Sequence, residues 1–583
     1  MLAELLAPPR SVSGPRADRG FWRRLLPTLA LLACITRLPS FTRPLWNPDE
    51  GYLAVQARIL AHGGELYDTV VDRKPPLVPW LYEAAFAVAG SGSLAPVRVL
   101  AVAAQLLTSV LLASLARRRW GDTAGGTAGV LYLLVSVGLN PEDAQAATFE
   151  VFMLPCTAAA MWCADRRRWG AAGLAVAGAF LAKQTGGAVL VPVLWLCVAA
   201  RGCLPDQAGC RTQTLAGKTS LGRWGWARAS RAKLVRAGGS VPLQGGGGRD
   251  TNRHRGGRRG AVGASPREPC SSVGESDDNA ADARGRGRDD GVIQKASPGA
   301  VRGGGLARLG AGVVVPVMGA AAVTDPAGFL FWTVTGSGAY LSFAGSELHV
   351  LVRGVTNTAI LAVGCAGLIP PLVRALRPAR TGAVDLWLWL AASAGAVLLG
   401  FHFFGHYYLQ LLPPLALLAT AALQLLPRDR LTHTVLTSAC CCALFLTWGL
   451  LAPRPELDHA RRLADEVAAR TDPRERVLVW GIHPETYWLA DRSPASRYLT
   501  AGLLTNYSGG RDGPQVGERY AVEGAWAVFR EEMTERPPAL IVDDSRGKPY
   551  GAERVPGLRR LLMAGYEEAG VVEGAVLYVR SRA

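Results

Sequence analysis

Apolar residues in this chain come in long blocks, and polar residues gather in the gaps between them. The blocks run at 22–40, 97–116, 123–139, 151–164, 169–183, 186–200, 306–323, 349–372, 384–400, 407–426 and 432–452. A run of about 18 apolar residues with few charges marks a helix that crosses a bilayer. The pattern predicts a polytopic α-helical membrane protein of about eleven transmembrane helices. One further block, 75–90, is short and opens on Pro75-Pro76. As a helix it reaches about 24 Å against a hydrocarbon core of about 30 Å. It is therefore expected to lie along the outer interface rather than to cross.

Two stretches break the pattern. Residues 201–305 are rich in Gly, Arg, Ser and Asp and lack hydrophobic periodicity. Such a segment cannot bury enough surface to fold, so a disordered, basic, cytoplasmic insert is expected. Its Ala216-Gly217-Lys218-Thr219 is no phosphate loop, because no Gly stands five residues before Gly217. Residues 453–583 have soluble character. Strands are expected at Arg476–Gly481, Ala539–Asp543 and Ala575–Val579, with helices at 457–470, 519–535 and 556–567. That alternation predicts a C-terminal extracytoplasmic α/β domain, without a nucleophile elbow or a dinucleotide-binding glycine fingerprint.

Composition agrees with a bilayer as the main solvent: 49% of residues are hydrophobic and 19% charged. The net charge of +17 sits largely in short loops such as Arg117-Arg118-Arg119 and Arg166-Arg167-Arg168, and in the insert. Lys and Arg collect on the cytoplasmic side of membrane proteins, so topology accounts for the charge and nucleic acid is not an expected partner. The same rule places a tail, 1–21, in the cytoplasm. It orients a module at 22–200, which carries outer loops, and a second module at 306–452. A multi-pass protein of the plasma membrane follows, with its C-terminal domain outside. Of the 11 cysteines, none follows residue 442, so no disulfide framework is expected in that domain.

Candidate chemistry concentrates in the first outer loop. Trp46-Asn47-Pro48-Asp49-Glu50-Gly51-Tyr52 is followed by Lys74-Pro75-Pro76-Leu77. A carboxylate beside a membrane surface suits a general base, and a lysine at the start of an interfacial helix suits a phosphate. Plainer readings stand beside these. Asp49-Glu50 fits a helix-capping pair after Pro48, and Lys74 fits a snorkelling side chain. Glu150 fits a solvated loop acid, as do Glu142 and Asp143. Arg98 and Lys183 fit anchors at helix ends. His402 and His406 lie four apart, but no third ligand neighbours them, so no metal site is read there. The sequence requires no cofactor and leaves a divalent metal open.

Together, Asp49-Glu50-Gly51-Tyr52 and Lys74-Pro75-Pro76-Leu77 resemble motifs of the GT-C glycosyltransferases that use polyprenyl-phosphate-linked sugars, of the protein O-mannosyltransferase and aminoarabinose-transferase type. Thr148-Phe149-Glu150 resembles their second acidic position, and His406-Tyr407-Tyr408-Leu409 a later outer-loop motif. The resemblance implies an inverting transfer, with Asp49 as general base and Lys74 on the lipid phosphate. It implies Arg98 as a second phosphate contact, Glu50 and Glu150 beside the base, and Tyr52, His406 and Tyr407 along the substrate pocket. It also implies a polyprenyl-phosphate sugar donor and a glycan, lipid or protein acceptor in the cell envelope, in contact with membrane lipids. Arg73 stands where some relatives have an acid, which weakens a metal between the loops. Two rivals remain: a flippase for lipid-linked glycans, which needs ionisable residues in mid-span or paired broken helices, and a membrane-anchored binding protein, in which Asp49 is replaceable.

Overall fold

The computed structural model describes residues 15–202, 298–337, 347–376, 383–507 and 513–581. Most of the insert expected at 201–305 falls outside the described residues, as does most of the N-terminal tail.

The apolar blocks are helices. In chain order they are α1 (Pro15–Arg37), α2 (Pro48–Ala61), α3 (Leu77–Ala89), α4 (Ala95–Trp120), α5 (Asp122–Val135), α6 (Phe149–Asp165), α7 (Trp169–Ala182), α8 (Leu190–Gly202), α9 (Pro298–Val323), α10 (Glu347–Gly364), α11 (Val384–Leu398), α12 (Leu412–Leu423) and α13 (Arg428–Leu451). Among the described residues, four stretches are long and apolar enough to cross a membrane: Arg19–Thr42, Ala95–Trp120, Gly304–Val323 and Arg428–Arg470. Other expected spans are shorter helices. α5 and α7 have 14 residues each, about 21 Å of helix, so length alone does not give eleven crossings. α3, with 13 residues, is shorter still. Leu31, Leu107, Val315, Met318 and Leu444 present apolar side chains on the outer surface of the helices, where lipid rather than water is the matching solvent.

Small residues bring the helices close. A Cβ on Gly173 of α7 would stand 2.2 Å from the Leu309 carbonyl oxygen of α9, and one on Gly312 would stand 2.4 Å from the Gly170 carbonyl oxygen. The two backbones touch, as small residues allow in membrane helices.

The two ends of α4 carry separate ion networks. At the Arg117-Arg118-Arg119 end, Arg119 pairs with Asp165 at 2.9 Å and Asp385 at 2.7 Å, and Arg118 with Asp165 at 3.0 Å. At the other end, Arg98 pairs with Glu50 at 3.0 Å.

The C-terminal part begins with α14 (Pro455–Arg470) and continues into a five-stranded sheet. Its strands are β1 (Arg476–Trp480), β2 (Ser493–Pro494), β3 (Leu540–Asp543), β4 (Tyr566–Val572) and β5 (Ala575–Arg580), in the order β2-β1-β3-β5-β4. β1 is parallel to β2 and β3, and β5 is antiparallel to β3 and β4. Val477 to Trp480 and Leu540 to Val542 are buried on both sides of the sheet, which is the mark of parallel strands covered on both faces. β1, β3 and β5 stand at the three stretches expected as strands. β4 is missed because Tyr566 to Val572 is exposed at several positions and includes Gly570.

This sheet sits on the first loop of the helical module, in one compact unit with it. Phe86 of α3 stacks on Trp488 at 5.4 Å, and Arg58 of α2 pairs with Asp491 at 2.8 Å. A Cβ on Gly51 would lie 2.5 Å from Cβ of Glu485, so α2 meets the helix α15 (Glu485–Ala490) where only glycine fits.

Candidate active site

α2 starts on Asn47, whose side-chain oxygen accepts from the Asp49 backbone N–H at 2.9 Å, with Pro48 as its first residue. Asn47 therefore caps the helix and leaves the carboxylates of Asp49 and Glu50 for other contacts.

Glu50 turns inward and is fully buried. It accepts from the Trp46 backbone N–H at 2.9 Å, from Ala147 N–H at 2.8 Å and from Arg98 at 3.0 Å. The Arg98 guanidinium also donates to the carbonyls of Arg43, at 2.6 Å, and Pro44, at 2.9 Å. Glu50 and Arg98 are thus the clasp that joins the first loop, α4 and the second loop. Arg98, expected on a phosphate, is instead buried in that clasp, and Glu50 is held there rather than beside the base. The Tyr52 hydroxyl, expected in the donor pocket, donates to the Val71 carbonyl at 2.7 Å.

Asp49 turns the other way. Its Oδ2 lies 3.2 Å from Nζ of Lys74 and 3.9 Å from Nε2 of His406. His406 Nε2 also faces Oε1 of Glu150 at 4.0 Å, while its Nδ1 donates to Asp143 at 2.7 Å. Lys183 donates to the same Glu150 oxygen and stands 3.8 Å over the Tyr407 ring. Lys74 stands 4.0 Å over the Phe149 ring. The structure therefore brings Asp49, Lys74, Glu150, His406 and Tyr407 together from loops far apart in sequence.

It also adds two residues that sequence reasoning missed. Asp143, read as solvated, is buried against His406; Lys183, read as an anchor, is buried on Glu150. Neither has a periodicity or motif that marks it. The fixed contact between Asp143 and the 400–406 loop has one sequence trace, Gly405, where a Cβ would fall 2.2 Å from Asp143 Oδ2. That loop bends through left-handed backbone at Phe401 and Phe403, an unusual conformation for bulky residues. It lays His402, Phe404 and His406 in a stack with centroids 5.7 and 5.6 Å apart. Among the described residues no group of His, Cys, Asp and Glu is arranged to hold a metal ion.

Three carboxylates face two ammonium groups and an imidazole, so the cluster balances when His406 is protonated. Burial opposes the charge on His406, but Glu150 and Asp143 outweigh it and raise the imidazole above the usual histidine range. Burial likewise pushes the Asp49 carboxyl up, but Lys74, His406 and Lys183 outweigh it and hold the group below the usual carboxylate range. Exposure divides the cluster. Glu150, Lys183, His406 and Asp143 side chains are 1%, 6%, 7% and 11% exposed, whereas Asp49 and Lys74 are 28% and 25% exposed. A substrate therefore meets Asp49 and Lys74 first, with the other charges behind them. One buried oxygen in that second layer, Glu150 Oε2, has no hydrogen-bond partner among the described residues.

The fold is that of two solved structures of ArnT. The chain superposes on apo ArnT from Cupriavidus metallidurans with a TM-score of 0.53 and 15% identity, covering 96% of this chain and 98% of that one. On ArnT from the same organism bound to undecaprenyl phosphate the TM-score is 0.51, again at 15% identity, covering 96% and 97%. The family model for dolichyl-phosphate-mannose-protein mannosyltransferase matches residues 73–208, a stretch that includes Lys74, Asp143, Glu150 and Lys183. No curated protein matches the chain in sequence.

Proposed function

We propose that this chain is a membrane glycosyltransferase that moves a sugar from a polyprenyl-phosphate donor to a cell-envelope acceptor at the outer face of the plasma membrane. The observation that carries the reading is the Asp49–Lys74 pair, the accessible edge of an otherwise buried, charge-balanced cluster. The matching fold of ArnT, a protein seen with undecaprenyl phosphate bound, supports a polyprenyl-phosphate donor here.

In the proposed reaction the acceptor oxygen attacks the anomeric carbon as the bond from that carbon to the phosphate oxygen breaks. Asp49 takes the acceptor proton. The electron pair of the broken bond leaves on the polyprenyl phosphate, whose charge Lys74 stabilises. A single displacement of this kind inverts the anomeric centre.

The Asp49–Lys74 contact also sets an order of events. A donor phosphate that takes Lys74 removes the nearest charge holding Asp49 in its weakly basic state. Asp49 then becomes a better base once the donor is bound. Glu150, Lys183, Asp143 and His406 fix the electrostatics behind it. Sugar transfer from a panel of polyprenyl-phosphate sugars by the wild type and by Asp49→Asn tests the reading. Transfer from at least one donor, lost in Asp49→Asn, supports it; equal transfer by both proteins removes the general-base assignment.

A further inference from the structure

The C-terminal sheet has the order β2-β1-β3 at its parallel end. The chain leaves β1 toward β2 on one side and later returns to β3 on the other. In doubly wound sheets that reversal opens a crevice at the carboxyl ends of the two central strands, and ligands bind there. A cavity of ~280 Å³ occupies this place. Ile482 and His483 line it from just beyond β1, and Ser545, Arg546, Lys548 and Tyr550 from just beyond β3, with Glu456 of α14 and Tyr507 closing it.

Two of its basic side chains are paired. Arg546 pairs with Glu456 at 2.9 Å and reaches Asp544 at 3.3 Å, and His483 lies 3.0 Å from Glu485. Arg546 and His483 are thus already held by carboxylates: Glu456 lines the crevice, while Glu485 and Asp544, which also bonds His459 at 2.9 Å, stand behind the lining, and this weakens the field that a phosphate or a carboxylate would meet. The lining instead offers fixed donors and acceptors side by side, and the Tyr507 and Tyr550 rings 4.4 Å apart. Paired polar groups beside an aromatic face suit vicinal hydroxyls and the C–H face of a sugar ring. The volume lies just below the roughly 300–1,000 Å³ of pockets for larger ligands, which suits one ring rather than a lipid chain.

We propose that this crevice binds an uncharged pyranose unit of a glycan. The site is distinct from the Asp49–Lys74 cluster, and the proposal does not depend on the transferase reading. The two are close in the fold, because Glu485, the partner of His483, packs directly on Gly51 of the helix that carries Asp49.

Saturation-transfer NMR on the full chain in lipid nanodiscs tests the site, with methyl α-mannopyranoside, methyl β-glucopyranoside and N-acetylglucosamine as probes. At least one pyranoside is expected to receive saturation from the wild type and equally from Lys74→Gln. The transfer is expected to fall by about fivefold in Glu456→Gln and in Lys548→Ala, as for loss of one hydrogen bond. Lys548 is exposed, so its truncation leaves the fold intact if Glu456→Gln does not. No transfer to any pyranoside overturns the proposal. So does transfer that is unchanged in both crevice variants, transfer lost in Lys74→Gln, or transfer abolished by inorganic phosphate, which would make the crevice an anion site.

Discussion

Oδ2 of Asp49 lies 3.2 Å from Nζ of Lys74, and these are the two most exposed members of a six-residue ion cluster drawn from four separate stretches of the chain. Loss of Lys74 acts on both sides of that contact. Lys74→Gln removes the phosphate contact and the nearest charge that lowers the Asp49 carboxyl. The predicted outcome is weaker binding of polyprenyl phosphate by about tenfold or more, for loss of a charge-assisted contact of about 1.5–3 kcal/mol. Titration of the lipid phosphate into wild type and variant measures it; equal affinity refutes the clamp.

The buried Glu50–Arg98 clasp is expected to govern stability. Removing one member leaves the other charged and uncompensated, at a cost of about 3–5 kcal/mol. Glu50→Gln and Arg98→Met should each lower the melting temperature strongly, and the double variant should lose less than the sum of the two. Additive losses would show that the pair acts as two independent residues.

His406 gives a pH dependence with a defined sign. Its folded-state pKa is raised from 6.5. The stability it contributes is therefore full below the unfolded value and is lost as pH rises through the folded value. Asp143→Asn removes one source of the rise, so this loss should begin at lower pH. Melting temperature measured across neutral and mildly alkaline pH reads the shift. A shift to higher pH, or none, contradicts the Asp143–His406 pairing.

Two glycines report on close approach. Gly405→Ala places a methyl against Asp143 and should reduce transfer, while Gly395→Ala, with nothing within 4 Å among the described residues, should not. Gly173→Leu drives apart α7 and α9 and should lower the melting temperature, whereas Gly319→Leu, likewise with nothing within 4 Å among the described residues, should leave it near the wild type. Equal effects within either pair would show that the backbone contacts are not tight.

Much of this architecture was legible in the sequence, because each feature has its own local signal. Apolar block length marks the helices, and short apolar runs rich in β-branched residues mark β1, β3 and β5. Asp49 and Lys74 stand out because an acid and a lysine flank short proline-bearing segments in one polar loop. What stayed hidden depends on orientation. Nothing local distinguishes Asp49, which faces the cluster, from Glu50, which faces Arg98; the helix turn that Asn47 caps separates them. Asp143 and Lys183 gain their meaning only when α6, α7 and the 400–406 loop meet. The number of crossings was less legible for a related reason, since short helices such as α5 and α7 sit among others that satisfy their surfaces.

The most direct measurement is single-turnover transfer by Asp49→Asn, made beside donor binding by the same protein. The account predicts donor binding within a few-fold of wild type and transfer slower by about 10²-fold or more, as for loss of a general base. Transfer at the wild-type rate with bound donor would contradict Asp49 as the base.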